Sequence, residues 1–358
     1  MSSESNTPVS KGKAFLDEAL KLNPEDGYSP KAEELLEKAI KMDPNLVDAW
    51  TALGHTYFNK GDVQQSLTAF QEAVKQSESG HEGNKIEALR GLSVAVRSVP
   101  EAKTEPTTPA FSQSIDFAKK AIACDLNNGK SWYTLGMAYV ARFFNGRSRP
   151  QDLRDALSAF QLSETKLSKP FADLHLNRGT VLRFLVSFAS ARADFMKAIS
   201  IDPSVKEAEV FLKEMEDEWK VIEREMLNKK LDRPTAKARS HPFPDDDVDI
   251  MKLKKGRNTE VQLPLRISHC VSLSTATPQL FICTDRQLRR CVMAVYDIAS
   301  DALSSDDIVV IEGAMFAEVN WDETVGFPLV TVDDPSHIRV NGHMIKDSQK
   351  QLAAISHA

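Results

Sequence analysis

Apolar positions along residues 47 to 78, VDAWTALGHTYFNKGDVQQSLTAFQEAVKQSE, fall into two helical stretches separated by a short polar turn. Trp50, Leu53 and Tyr57 lie at i, i+3 and i+7 and so form one apolar face on a first helix. Small Gly54 on that helix leaves room for a second helix to approach closely. Lys60-Gly61-Asp62 makes the turn, with Gly61 as the left-handed stop of one helix and Asp62 as the N-cap of the next. Ser66, Phe70 and Ala73 then mark the second helix.

The same register returns along the chain. Ala32, Leu36, Ala39 and Pro44 mark the second helix of an earlier pair, and Ser131 to Tyr139 forms the first helix of a later one, completed by Ala156 and Phe160. Leu174 to Leu182, with Gly179 at the small position and Arg178 in the usual Leu place, is followed by Ala191, Phe195, Ala198 and Pro203. A more degenerate pair runs through Leu89, Leu92, Ser93 and Val96 to Ser114, Ala118 and Ala121. The W-x2-L-G-x2-Y and A-x3-F spacings are those of a 34-residue tetratricopeptide repeat, here with Ser66 in the first Ala position. Five helix pairs are therefore expected from about residue 13 to 203, closed by an amphipathic capping helix over 205–231. The third pair is stretched by nine residues around Pro100, Pro106, Thr107, Thr108 and Pro109, and the fourth by eight at FFNGRSRPQ.

Past residue 232 the pattern changes. Three prolines, the acidic run Asp245-Asp246-Asp247 and two basic clusters read as a linker over 232–259. Short β-branched runs then alternate with turn signals in VQLPLRISHCVSL, PQLFICTD, RCVMAVYDI, DIVVIEGA, FAEVNW and FPLVTVDD, which predicts five or six strands. The alternation Cys291-x-Met293-x-Val295 and Asp307-x-Val309-x-Ile311 suits a five-stranded OB-type barrel. The expected fold class is thus multidomain α + β: an all-α repeat solenoid over 13–231, then a small all-β OB-fold barrel over 260–345, with disordered ends at 1–12 and 346–358.

Composition narrows the chemistry. The 358 residues carry 45 Lys+Arg against 51 Asp+Glu, a net charge of -6, so the whole molecule is no polycation built to coat nucleic acid. The β region from Val261 onward is acidic as well, with seven Lys/Arg against twelve Asp/Glu and five aromatics (Phe281, Tyr296, Phe316, Trp321 and Phe327). Stacking platforms for single strands come with a positive groove, so protein binding is the better reading of this domain. Arg286, Arg289 and Arg290 are its dense basic spot. Cys124, Cys270, Cys283 and Cys291 show no C-x-x-C pair and read as buried small hydrophobes of a reducing compartment. The polar start MSSESNTPVSKGK and the lack of any 18-residue apolar stretch predict neither secretory signal nor membrane span. No phosphate loop, dinucleotide fingerprint, nucleophile elbow or H-E-x-x-H motif is present, so no enzyme, cofactor or metal is expected. His337-x5-His343 lacks an upstream C-x-x-C, and His175 falls where Trp packs in other repeats.

Candidate binding residues follow from repeat position. In stacked first helices, positions 2, 5, 6, 9 and 12 face the concave groove instead of the core. Position 2 gives Lys130, Asp173 and Glu207, position 6 gives Asn177, and position 12 gives Arg97. Two carboxylates with a guanidinium one or two repeats away complement a short peptide bearing one basic and one acidic residue. Asn177 offers donor and acceptor to its backbone. Asp48, Thr51 and His55 occupy the corresponding positions of the second pair, which argues against a clamp for a C-terminal carboxylate. Three basic clusters are candidates for RNA phosphate: Lys31, Lys38 and Lys41; Lys229, Lys230, Arg233, Lys237 and Arg239; and Lys252, Lys254, Lys255 and Arg257.

The segments SPKAEELLEKAI, LVDAWTALG, GKSWYTLGMAYV, DLHLNR, VMAVYDI and RVNG, set in repeats followed by an OB domain, resemble the tetratricopeptide repeat protein five (stress-responsive activator, Strap) family over about residues 25 to 345. Members of that family carry a longer acidic N-terminal helical segment. The resemblance implies a cytoplasmic and nuclear, monomeric adaptor that recognises the N-terminal Met-Arg-Glu segment of nascent α- and β-tubulin. It further implies docking on the ribosome, including its RNA, and recruitment of an mRNA-decay adaptor that destroys the tubulin message. On that basis Asp173 and Glu207 take the peptide's Arg or free amine and Arg97 its Glu. The family's alternative role is a nuclear transcriptional cofactor acting with an acetyltransferase, its OB domain contacting chromatin or chromatin-bound proteins, with an actin nucleator as a further partner.

Overall fold

A computed structural model of the chain describes residues 8–22, 27–81, 83–100, 109–145, 150–228, 243–244, 248–271 and 278–350. The central parts of the two stretched connections, the cluster from Lys229 and Lys230 through Arg233, Lys237 and Arg239, and the acidic run Asp245–Asp247 lie outside the described residues, as do the chain's ends. The chain divides into two compact units, one ending at Pro170 and the other beginning at Phe171.

Among the described residues the first unit shows these helices: α1 Pro8–Leu22, α2 Pro30–Met42, α3 Val47–Lys60, α4 Val63–Glu78, α5 Lys85–Arg97, α6 Ala110–Cys124, α7 Gly129–Asn145 and α8 Pro150–Lys166. Local chemistry sets their limits. Ser29 caps α2 by accepting from the Ala32 N–H at 3.3 Å, with Pro30 opening the helix. Asp62 caps α4 through the Gln65 N–H at 3.1 Å, and Asn84 caps α5 through the Glu87 N–H at 3.0 Å. Gly61 ends α3 at φ 88°.

Successive helices pair as the repeat register requires. A Cβ built on Gly54 would stand 2.7 Å from the Phe70 ring, and one on Gly136 2.5 Å from the Phe160 ring, so glycine is demanded by the closeness of the helices. Ser66 fills the first Ala position without orphaning its hydroxyl, which donates to the Gly54 carbonyl at 2.8 Å. The indoles of Trp50 and Trp132 donate to the carbonyls of Pro44 and Leu126 at 2.8 and 3.0 Å, so each repeat tryptophan ties its helix to the preceding loop.

The second unit begins with α9 Ala172–Phe184, α10 Phe188–Ile201 and the capping helix α11 Lys206–Leu227. Nine strands follow in one sheet: β1 Gly256–Arg257, β2 Gln262–Cys270, β3 Gln279–Thr284, β4 Arg290–Val295, β5 Ile308–Glu312, β6 Met315–Asn320, β7 Gly326–Val332, β8 Ile338–Val340 and β9 His343–Met344. Their order is β1-β6-β7-β4-β3-β2-β5-β8-β9, and β4 and β7 are the parallel pair. This is the OB fold expected from the sequence. The six anticipated strands are β2 to β7. The missed β8 and β9 are joined by Asn341-Gly342 at φ 50° and 87°, a two-residue hairpin turn with both φ values positive.

The sheet buries both of its faces. Leu263, Leu265, Ile267, Cys291, Met293, Val295, Val309 and Ile311 fill the interior with Ile250 and Leu253. Residues 248–257, read from composition as the end of a linker, therefore belong to the β domain. On the opposite face Leu280, Ile282, Val292, Ala294 and Leu329 pack with Phe188, Met215, Trp219 and Ile222 of α10 and α11. The Trp219 ring stacks on Trp321 at 5.6 Å and on Phe327 at 5.5 Å. Of the cysteines, Cys283 and Cys291 are buried, and burial raises both thiols above their ordinary range. Cys124 and Cys270 correct the expectation: each ends an element and is exposed.

Replacing Gly136 by Ala should destabilise the chain by about 1–3 kcal/mol, the usual cost of overpacking a core contact. Urea unfolding of the two proteins measures it.

Candidate functional site

In the first unit the first helices of successive repeats, α3, α5 and α7, present the groove positions. Several of these are already spent on the fold. The Asp48 carboxylate accepts from the Asn84 N–H at 2.8 Å, fixing the start of α5, and Thr51 returns its hydroxyl to the Val47 carbonyl at 3.0 Å. Glu87, at position 2 of α5 and overlooked in the sequence, binds the His55 ring at 3.2 Å and pairs with Arg90. Burial alone would raise the Glu87 pKa, but the His55 hydrogen bond and the Arg90 charge hold it at about 2.

Arg97 differs from these. It sits in the last turn of α5, where its Nη1 donates to the Ser93 carbonyl at 3.2 Å and the Ser114 hydroxyl at 3.3 Å. Ser93 and Ser114 are fully buried and bond each other, Ser93 Oγ to the Ser114 carbonyl at 2.8 Å and Ser114 Oγ to the Ser93 carbonyl at 2.7 Å. Among the described residues no carboxylate pairs with Arg97, and its Nε and Nη2 have no hydrogen-bond partner. Burial lowers its pKa to about 10, opposed by the neighbouring Tyr133 of α7, so it stays charged at neutral pH. Lys130 lies exposed in the first turn of α7.

In the second unit, Asp173 is exposed in the first turn of α9 and Glu207 in the first turn of α11, where helix dipoles favour carboxylates. Glu207 makes no ion pair among the described residues. Asn177 donates Nδ2 to the Asp173 carbonyl at 2.8 Å, one turn back along α9. His175 is buried, as its repeat position foretold, and its Nδ1 meets Asp194 of α10 at 2.8 Å. Arg178 grips the same carboxylate with Nε and Nη2, both at 2.7 Å, which explains a charged residue in the usual Leu place. Arg183, at position 12, pairs with Glu214 at 2.9 Å and lies over the Phe211 ring at 5.8 Å. The position numbering that singled out Arg97 would also have found Arg183.

The basic clusters divide by their partners. Lys31 pairs with Glu18 at 3.6 Å and Lys38 with Glu34 at 2.6 Å, while Lys41 is exposed. Lys252, Lys254 and Lys255 are exposed on the approach to β1, on a turn that the Asn258 amide holds through the Lys254 and Gly256 carbonyls, both at 2.9 Å. Arg257 pairs with Asp333. In the β3–β4 hairpin, Arg289 binds Asp285 at 2.9 Å and Asp249 at 2.7 Å, and Arg290 donates to the Glu225 carbonyl at the end of α11 at 2.7 Å. That dense basic spot is therefore largely consumed within the unit. Among the described residues, no group of three His, Cys, Asp or Glu side chains could hold a metal, and no helix is long and apolar enough to cross a membrane.

Helix pairs in repeat register leading into an OB barrel define the class: a tetratricopeptide repeat protein with a C-terminal OB-fold domain. Residues 246–354 match the family described as the tetratricopeptide repeat protein 5 OB fold domain, and residues 35–68 and 172–205 match tetratricopeptide repeat families. Tetratricopeptide repeat protein 5 of Bos taurus is 38% identical over 187 residues, 51% of this chain and 41% of that protein. The Homo sapiens protein of the same name is 37% identical over 185 residues, again 51% of this chain and 41% of its own length. The chain is similar to tetratricopeptide repeat protein 5 over about half of its length, and each alignment takes in about two fifths of the relative. Among solved structures, a thermophilic tetratricopeptide repeat protein of Thermus thermophilus is 15% identical with a TM-score of 0.45, covering 57% of this chain and 98% of that one.

Burial by itself pushes the Asp194 carboxyl up, yet hydrogen bonds from Arg178 and His175 hold it below the ordinary aspartate range. A lowered folded-state pKa contributes stability that is present at neutral pH and lost as pH falls through that range. Asp194→Asn should therefore cost about 3 kcal/mol at neutral pH, leaving the half-buried Arg178 without its counter-charge. Urea unfolding repeated from about pH 6 to pH 3 should show a shallower acid loss in the variant than in the wild type.

Proposed function

We propose that the chain is a non-catalytic adaptor that binds an extended peptide of the tubulin N-terminal type, Met-Arg-Glu, as it leaves the ribosome. The observation that carries this reading is Arg97. A guanidinium oriented by two buried serines, with two nitrogens unengaged and no carboxylate of its own among the described residues, is arranged for an anionic group supplied from outside. Lys130 adds positive charge on the first unit. Taken by itself, the second unit exposes Asp173 and Glu207 in helix first turns, carboxylates of the kind that suit an arginine or a free amine, and Asn177 stands one turn from Asp173. Similarity to tetratricopeptide repeat protein 5 supports a protein-binding role for the repeats.

Ribosome docking in this reading uses RNA phosphate contacts from Lys252, Lys254 and Lys255, whose turn is braced by Asn258, and recruitment of an mRNA-decay adaptor then follows in the cytoplasm.

The test is fluorescence anisotropy with a labelled tubulin N-terminal peptide against a scrambled one. Arg97→Gln should weaken binding roughly 10- to 100-fold, as expected for loss of a hydrogen bond to a charged group. Asp173→Lys and Glu207→Lys should also abolish capture, while changing the melting behaviour by no more than about 0.5 kcal/mol. Equal binding of native and scrambled peptides would overturn the proposal.

A further inference from the structure

The turn between α9 and α10 shares two closing backbone hydrogen bonds with the turn between α3 and α4, but holds a valine where the earlier turn has its pivotal glycine. In the earlier turn Gly61 donates to the Phe58 carbonyl and Asp62 to the Tyr57 carbonyl, both at 2.9 Å. In the later one Val186 donates to the Arg183 carbonyl and Ser187 to the Leu182 carbonyl, again at 2.9 Å. Both are the helix-ending motif whose pivotal residue takes left-handed backbone angles. Gly61 does so freely at φ 88°. Val186 does so at φ 57°, a conformation that β-branched residues seldom adopt.

What offsets this is burial in an apolar cluster that takes in the β domain. A side chain at position 61 would meet nothing within 4 Å, whereas Val186 is 2% exposed. It belongs to the apolar cluster that joins Phe188 and Trp219 to Leu280, Ile282 and Val292 of the sheet. Two residues earlier, the Phe184 carbonyl at the end of α9 accepts the Tyr296 hydroxyl at 2.6 Å, and the two rings lie 4.9 Å apart. Tyr296 follows β4 and is itself buried, and burial raises its pKa above the ordinary phenol range. One apolar anchor and one hydrogen bond thus fasten the last turn of α9 to the barrel, at a position where the backbone alone would select glycine.

We infer that the β domain is the terminal cap of the repeat in this unit, coupled energetically to α9 through Val186 and Tyr296. The barrel is then no separately tethered module: it sets how firmly α9, the helix that carries Asp173 and Asn177, is held. This coupling stands apart from the identity of any peptide, because it is measured without ligand.

The experiment uses the full chain, with melting temperature and amide hydrogen exchange as readouts. If the turn were self-contained, Val186→Gly would relieve its backbone and raise the melting temperature. Coupling to the barrel predicts the opposite sign: a fall of about 3–6 °C, with faster exchange in the last turn of α9. Tyr296→Phe keeps the ring and removes only the hydrogen bond, so it tests the same link even if the glycine variant does not fold. It should speed exchange over residues 181–186 by roughly 2- to 10-fold, while the last turn of α3 is unchanged. A higher melting temperature for Val186→Gly, or unaltered α9 exchange in Tyr296→Phe, overturns the inference.

Discussion

The close approach of paired helices is the constraint on which the other features rest. Gly54 faces Phe70, Gly136 faces Phe160 and Gly179 faces Phe195, each so near that a methyl group would overlap the ring. Because small residues and rings settle the contact within a pair, Trp, Leu and Tyr are left to stack one pair upon the next, and while Thr51 and Val140 at groove positions stay buried, others such as Lys130 stand exposed. Binding chemistry can vary there without cost to the core. The degenerate third pair obeys the same logic with other atoms: Ser93 stands in the glycine position and exchanges hydrogen bonds with Ser114 in place of a glycine–ring contact. Those two serines in turn present the acceptors that orient Arg97.

Most charges released in this way are taken up again by the fold. Asp48 caps a helix, Glu87 joins His55 to Arg90, Asp194 answers Arg178 and His175, and Arg183 answers Glu214. Each of these carboxylates or guanidiniums is quenched locally, and a quenched ion offers little to a ligand, which would have to break one pair to form another. The proposed recognition therefore rests on groups for which the described residues supply no counter-ion. Among the described residues Arg97 on the first unit and Glu207 on the second make no ion pair, and it is this, more than repeat position, that marks them out for the proposal.

The repeats were legible in the sequence because a 34-residue period, a helix-face pattern and turn residues such as Gly61 and Asp62 all agreed. Asp62 caps and Gly61 ends their helices as read. The groove residues could be placed on their helices, but their pairing could not: that Glu87 is bound by His55 depends on how neighbouring helices register, and no spacing within one helix encodes it. The β domain shows the same limit. Its alternating strands were visible, yet Leu280, Ile282, Val292 and Ala294 break the alternation of an ordinary one-sided strand because a second apolar layer covers them. The ordered start of this domain was hidden for a compositional reason. Its polar, lysine-rich residues resemble a tether, and only Ile250 and Leu253 reveal the buried side.

These two readings meet at α11. As a capping helix it was expected to shield the apolar end of the last repeat and turn a polar face to water. Ala208, Met215, Trp219 and Ile222 fall at seven- and four-residue spacings along one face of the helix, in one cluster with Phe195 and Ala198 of α10 and with Leu280 and Val292 of the sheet. An apolar stripe running along a helix of 22 residues is long enough to meet both partners in turn. Arg290 from the barrel then supplies the donor for the helix's last carbonyls, a task that capping residues within a helix normally leave to solvent or to a following glycine. The sequence of α11 thus records two partners, and the barrel completes the end of the solenoid by covering the surface that a free capping helix would have had to make polar.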